Sequence, residues 1–393
     1  MQILLWLSIG LDRRTPSEHL LIAIAEALVN KGHKVHVLQK ATDGDLPGLP
    51  KAMRDLGVTT TRVKSNPTKR SNLIGRYLED IKYFLKCKEW LINNKHFDRV
   101  FLQSSNAVGV QVAILRKVLV NSSITFNVQD LFPENAIYSG TLSQTGIPYK
   151  LLSSIQKYGY KYVDHIITIS DDIMDQLKQI GVPSDKIETI YNWSYQDNPY
   201  DRESLDYTRI AQLIDNSKFN VVYAGNIGRM QNVEAVILAA DKLRDYDDIA
   251  FHIIGTGVYR EKLEKLAKDL NTNNVAFHEM LGSTDAPSIY AYADVNIIPL
   301  AKNIYKTALP SKTATCLACG SPLVFAIGSE SVFGNLLKAE TGIELVDPDD
   351  IEGLQKAILK IKSKRTNQYL DDYYMKKFSR SVNSNRYAEL IIG

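Results

Sequence analysis

Short, mainly apolar runs alternate with helix-patterned stretches along this chain, and the pattern is played twice. In the first round Ile3–Ile9, Val35–Leu38, Arg99–Gln103, Ile124–Val128 and His165–Ser170 read as strands. Helices read between them: one opened by Thr15, Pro16, Ser17 and Glu18 and ended by Gly32-His33, then Asn106–Val118 and Ile155–Tyr162. Thr15 suits an N-cap, Pro16 the first helical position, and Glu18 completes a capping box. In the second round the strands are Phe219–Tyr223, Ala250–Gly255, Val275–His278, Val295–Pro299 and Leu323–Ala326. Strands apolar on both faces, with helices between them, predict a parallel sheet covered on both sides. The chain has 393 residues, more than one ordinary core holds, so two doubly wound α/β domains are expected. Their boundary falls in the polar stretch 192–218, giving domains of 1–192 and 193–374. The segment 375–393 is expected to be an amphipathic helix.

Charge excludes some functions. A formal net charge of +3 gives no case for a nucleic-acid binder. Within residues 62–99, however, basic residues outnumber acidic ones, and Leu73, Tyr77, Ile81, Phe84 and Trp90 recur at helical spacing. Two readings stay open: a basic amphipathic helix on an anionic membrane, or a solvated helix packed on its own domain. The three cysteines, Cys87, Cys316 and Cys319, form no disulfide framework and suggest a reducing compartment. Cys316 and Cys319 have C-x-x-C spacing without a second ligand pair, so they read as packing residues. No apolar run reaches the ~18 residues of a membrane span. The start, Met1–Gly10, reads as a first strand and not as a signal peptide. A cytoplasmic protein is expected, with contact to the inner membrane face left open.

In doubly wound sheets, ligands bind beyond the carboxyl ends of the strands. The loop after Phe219–Tyr223 is Ala224-Gly225-Asn226-Ile227-Gly228-Arg229, and that after the next strand is Gly255-Thr256-Gly257. Glycines there suit close approach of an anion to the backbone. A dinucleotide fingerprint would need a third glycine at position 260, where Arg260 stands. The third loop carries Lys306, Thr307, Pro310, Ser311 and Lys312 before a helix. A diphosphate would suit it, with the lysines as point charges. Asp43-Gly44-Asp45 and Asp347-Pro348-Asp349 match Asp-x-Asp by spacing alone, and neither is read as a metal site.

Tyr223-Ala-Gly-Asn-Ile-Gly228, Ile254-Gly-Thr-Gly257, Tyr292-Ala-Asp-Val295, Pro310-Ser-Lys312 and Leu317-Ala-Cys-Gly-Ser-Pro-Leu-Val324 together resemble the retaining glycosyltransferases of family 4, closest to bacterial surface-polysaccharide enzymes. Gly32-His-Lys-Val35, Gln129-Asp-Leu-Phe-Pro-Glu134 and Ile190-Tyr-Asn-Trp193 fit the same group. The resemblance implies a GT-B fold: two Rossmann-like domains facing a central cleft, with the C-terminal helix returning to the first. It implies a nucleotide-diphosphate sugar donor, UDP-linked by preference, a saccharide or lipid-linked saccharide acceptor, retention, and no metal or other cofactor. Carried over by position, Gly225, Asn226, Arg229, Gly255, Gly257, Pro310, Ser311 and Lys312 would line the donor, with Met280 and Leu281 near the base. Asp130 and Lys306 would serve catalysis, and Gly10, Arg13 and Arg14 the acceptor side. The chain departs from the family at the acidic pair that many members carry, where Thr307 and Thr315 stand and would meet the donor through their hydroxyls. It departs again where many members place Arg and Lys, here Asn226 and Gln231. These departures leave open a non-catalytic partner of another transferase. A nucleotide-sugar 2-epimerase is the third reading.

Overall fold

The computed structural model describes residues 1–11, 18–41, 48–66, 73–138, 140–338, 340, 342–364 and 371–393. Arg13, Arg14, the helix start Thr15–Ser17 and the pair Asp43 and Asp45 lie outside the described residues. The chain divides into two compact units, Met1–Asn192 with Arg380–Gly393, and Trp193–Ser379.

The first unit runs β1 (Gln2–Leu7), α1 (Glu18–Asn30), β2 (Lys34–Ala41), α2 (Lys51–Asp55), β3 (Thr59–Lys64), α3 (Leu73–Ile92), β4 (Arg99–Gln103), α4 (Val108–Val118), β5 (Ser123–Val128), α5 (Glu134–Tyr138), α6 (Ile147–Tyr162), β6 (His165–Thr168), α7 (Asp171–Gln179) and β7 (Ile187–Thr189). Its parallel strands are ordered β3-β2-β1-β4-β5-β6-β7. Ile3 to Leu7 are fully buried, as a strand covered on both faces requires. Within the stretch 62–99, the residues spaced for a helix, Leu73 to Trp90, lie on α3, and the stretch extends beyond that helix at both ends. It holds the end of β3, the helix α3 and the start of β4, because the β-branched run Thr59-Thr-Thr-Arg-Val63 pairs with β2.

Helix α4 touches both α3 and α6, so these three helices form one layer. The α4–α6 contact is unusually close. A Cβ on Gly109 would collide with the Ile155 backbone, and one on Gly159 would sit 2.9 Å from the Gly109 nitrogen. Gln156, buried on α6, accepts from Val108 N at 3.1 Å and donates to Ser105 O at 3.1 Å, tying α6 to the start of α4.

The second unit runs α8 (Thr208–Ala211), β8 (Phe219–Ala224), α9 (Val233–Lys242), β9 (Ile249–Ile254), α10 (Arg260–Asp269), β10 (Val275–His278), α11 (Ala286–Tyr292), β11 (Val295–Pro299), α12 (Thr313–Ala318), β12 (Leu323–Ala326), α13 (Val332–Lys338), β13 (Ile343–Val346), α14 (Ile351–Lys364) and α15 (Asp371–Phe378). Its parallel sheet is ordered β10-β9-β8-β11-β12-β13, so strand order reverses between β8 and β11. Cys316 and Cys319 are buried and unpaired, as packing residues.

The single helix expected over 375–393 is broken at Ser379. Only the second piece, α16 (Arg380–Ile392), belongs to the first unit. There it packs on α1 and on β4, β5 and β6. Tyr387 is buried and donates to Asn127 Oδ1 at 3.2 Å, and Arg99 Nε donates to Ile392 O at 2.7 Å.

Candidate functional site

The second unit gathers its candidate residues where β8, β9 and β10 end. Gly225 N donates to Ile254 O at 2.9 Å, and Ile227 N donates to Thr256 O at 2.8 Å. The loops 224–228 and 255–257 therefore lie backbone against backbone. A Cβ on Gly255 would collide with the Gly225 carbonyl, and one on Gly257 with the Ile227 carbonyl. The glycines at 255 and 257 thus admit a neighbouring loop, where the sequence suggested room for an anion. The N–H groups of Gly225 and Ile227 are committed to that neighbour.

Lys312 completes this loop pair from the residue just before α12. Its ammonium lies 3.8 Å from the centre of the Tyr223 ring and donates to Ala224 O at 2.9 Å. A Cβ on Gly225 would come within 3.3 Å of Lys312 Nζ, so the charge sits beside the bare Cα of Gly225. The aromatic face attracts the cation, and burial opposes it by removing water. Burial wins: it brings the Lys312 amine down to about 8. The ammonium has three protons and Ala224 O takes one, so it retains donors for an anion. Tyr223 is buried and its hydroxyl donates to Asn226 O, so ring and loop are fixed together.

Around that cation the loop is neutral. Asn226 is exposed, and its amide nitrogen donates to Gln231 Oε1 at 3.2 Å. The same Gln231 oxygen accepts from Gly228 N at 3.1 Å. Gln231 therefore closes the turn at 229–231, which separates the loop from α9. Arg229 is exposed on that turn. Arg260 stands where a third glycine was sought. Its Nη1 donates to Gly255 O at 2.6 Å and His278 O at 2.9 Å, binding the ends of β9 and β10. That places the exposed Met280 and the partly buried Leu281 in the loop leaving the same strand end.

Beneath the loops, His252 Nδ1 lies 3.0 Å from His278 Nε2, and His252 Nε2 lies 3.1 Å from Asn220 Oδ1. Burial brings the His252 imidazole down to about 4, and lowers His278 too. Facing ring nitrogens at this spacing make a hydrogen-bonded chain across three strands. Among the described residues no three His, Cys, Asp or Glu side chains gather as metal ligands. Asp347 accepts from Ser329 N at 2.6 Å and Asp350 from Gly353 N at 2.8 Å, which occupies carboxylates of the 347–350 stretch in loop and helix-start bonds.

Thr307 is fully buried, and its hydroxyl donates to Ile304 O at 3.1 Å. Thr315 is also buried. Neither offers an open hydroxyl comparable to the exposed Ser311. Pro310 is partly buried, and its carbonyl accepts from Thr313 N at 3.0 Å. Lys306 lies over the Tyr305 ring, 5.6 Å from its centre.

In the first unit, Asp130 follows β5. Its side chain is exposed, while the protein around it pushes its carboxyl up to about 6. Exposure is the more local fact and leaves water within reach of the charged form. The neighbouring Gln129 and Asn192 clasp each other through paired amides at 2.7 and 3.2 Å. Gly10 is partly buried beyond β1, next to Leu11, whose N–H donates to Gln39 Oε1 at 2.6 Å. Two residues to which the sequence assigned no role in a site, Tyr223 and Arg260, prove central to the loop geometry.

Comparison with known proteins agrees with this architecture. Residues 17–193 match the family described as Glycosyltransferase Family 4, and residues 218–364 match Glycosyl transferases group 1. The chain is 28% identical over 212 residues to a protein of Escherichia coli strain K12 named for colanic acid biosynthesis glycosyl transfer, WcaI. That alignment covers 53% of this chain and 52% of WcaI. It is 26% identical over 267 residues to a protein of Pseudomonas aeruginosa named as a glycosyltransferase, WbjE, covering 67% of this chain and 64% of WbjE. The chain thus spans between half and two thirds of these two relatives. Among solved structures, Anabaena Alr3699/HepE, crystallised with UDP and glucose, superposes with a TM-score of 0.72 at 16% identity. That superposition covers 99% of this chain and 98% of HepE and shows the shared GT-B fold. The chain belongs to the glycosyltransferases, with a Family 4 first unit and a group 1 second unit.

Proposed function

We propose that the protein transfers a sugar from a nucleotide-diphosphate donor, UDP-linked by preference, to a saccharide or lipid-linked saccharide during cell-surface polysaccharide synthesis in the cytoplasm. The observation that carries this reading is the Lys312 ammonium, held over Tyr223 and against Gly225 at the strand ends of the second unit. A diphosphate needs a partly desolvated cation of this kind, because its own charge grows as the sugar departs. The UDP and glucose bound by HepE favour a uridine nucleotide. In this reading Ser311, Asn226 and Arg229 add donors, Met280 and Leu281 flank the base, and Lys306 assists the leaving diphosphate. Asp130 serves the transferred sugar, Gly10 belongs to the acceptor side, and transfer proceeds with retention and without metal. Turnover with a UDP-sugar panel, with and without EDTA, tests these points. Loss of turnover on chelation would remove metal independence. Turnover unchanged in Lys312→Ala would remove the assignment of Lys312.

One observation favours a second reading. Thr307 and Thr315 are buried where many relatives carry an acidic pair, so no carboxylate stands there to accept from a ribose. A non-catalytic partner of another transferase would tolerate this. Calorimetry with UDP-, GDP- and dTDP-sugars separates the two, since only the enzyme reading requires a donor to bind.

A further inference from the structure

The geometry points to the outward face of α6 as a docking surface for an anionic lipid bilayer. Helix α6 spans Ile147–Tyr162 and leaves four large apolar or aromatic side chains in water. Ile147 is 82% exposed, Leu151 61%, Tyr158 42% and Tyr162 41%. At 3.6 residues per turn these four fall within an arc of roughly 60°. Lys150, Lys157 and Lys161, all exposed, form a second stripe along one side of it. The helix contains no Asp or Glu. An apolar stripe with tyrosines at its end and lysines alongside suits the boundary between headgroups and acyl chains. There the apolar side chains enter the bilayer and the ammonium groups meet anionic headgroups.

The complementarity of charge selects the partner. A second copy of the same face would bring six lysines together with no carboxylate from the helix to offset them, whereas a bilayer rich in anionic lipid supplies the opposite sign. The face is also held firmly. Gly109 and Gly159 let α4 and α6 touch at the backbone, and Gln156 bonds the two helices. Arg116 on α4 donates through Nη2 to Tyr162 O at 2.7 Å, closing the far end of α6. The stripe is thus presented by a fixed element, and docking need not order it first. Sequence patterning left membrane contact open for a helix within 62–99. On α3, in the same helical layer, Leu78, Leu85 and Ile92 are exposed, but Glu89 stands among them.

The test uses the full chain and vesicles of phosphatidylcholine with or without phosphatidylglycerol, read by co-sedimentation. Binding is expected only with phosphatidylglycerol present and is expected to weaken with salt. Each lysine near such a surface is worth about fivefold, so Lys150→Gln/Lys157→Gln/Lys161→Gln should weaken binding on the order of a hundredfold. Leu151→Ser/Tyr158→Ser, both exposed, should abolish binding without shifting Tm. Lys265→Gln/Lys268→Gln, exposed on α10, should change nothing. Three results overturn the proposal: no binding of the unaltered chain to anionic vesicles, equal binding by both α6 variants, or a concentration-dependent dimer that Leu151→Ser/Tyr158→Ser abolishes without vesicle binding. No nucleotide or sugar enters the measurement, so failure here leaves the transferase reading standing, and the reverse.

Discussion

The Lys312 amine gives the site a distinctive pH dependence. Burial lowers it from the ordinary value of 10.5 to about 8 in the unliganded protein. A diphosphate favours the charged form, so the amine of the complex titrates at a higher pH than that of the free protein. Between those two values each step of one pH unit costs a tenfold loss of affinity, because the proton must be taken up on binding. At pH 9, one unit above the free value, affinity should be about tenfold lower than at pH values well below 8. UDP carries no phosphate titration over pH 7.5–9, which makes it the simplest probe. The assay is calorimetric titration of UDP at half-unit steps, for the unaltered chain and for Lys312→Met. Lys312→Met should bind more weakly at every pH, with a flat profile. A flat profile for the unaltered chain, or the same slope in Lys312→Met, would refute the assignment of the cation.

Three other outcomes follow from the packing of the second unit. Tyr223→Phe keeps a ring beneath Lys312 and should lower UDP affinity only slightly; Tyr223→Leu removes the ring and should cost about 1–2 kcal/mol, measured by the same titration. Gly257→Ala forces a Cβ onto the Ile227 carbonyl and should destabilise the fold by about 3 kcal/mol in urea unfolding, since backbone and not a flexible side chain must yield. His252 is buried, and its pKa is lowered from 6.5 to about 4, so its contribution is complete above pH 6.5 and is lost as pH falls through 4, on the order of 3 kcal/mol in all; His252→Asn should flatten that part of the stability profile.

The strands were readable because central parallel strands are mainly apolar on both faces, as Ile3 to Leu7 and Val221 to Ala224 illustrate. Where the apolar pattern also served an outer surface, reading was harder. Helix α6 was expected from Ile155 and begins at Ile147, eight residues earlier, because its exposed apolar stripe blurs the amphipathic period. The glycine loops were found, but their purpose was only partly legible. Sequence shows that a glycine lets something approach, not what approaches, and at 255 and 257 it is another loop. The seat of Lys312 carried no sequence signal at all. Lys312 and Ala224 are 88 positions apart, and only the sheet order that sets β8 beside β11 brings them together. Likewise nothing in the pattern around Arg260 announced that its guanidinium would tie two strand ends.

The course of the chain through α16 has a consequence for how the protein is made. The first unit consists of Met1–Asn192 and Arg380–Gly393, so its sheet lacks one covering helix until the whole of Trp193–Ser379 has been synthesised. At ordinary elongation rates that interval is roughly ten to forty seconds. Meanwhile the surfaces of β4, β5 and β6 that Tyr387, Ala388 and Ile391 will cover stand open, and Asn127 waits for the Tyr387 hydroxyl. The second unit is continuous in sequence and has no such delay. Through the synthesis of Trp193–Ser379, therefore, the first unit carries an uncovered apolar surface of the kind that chaperones bind.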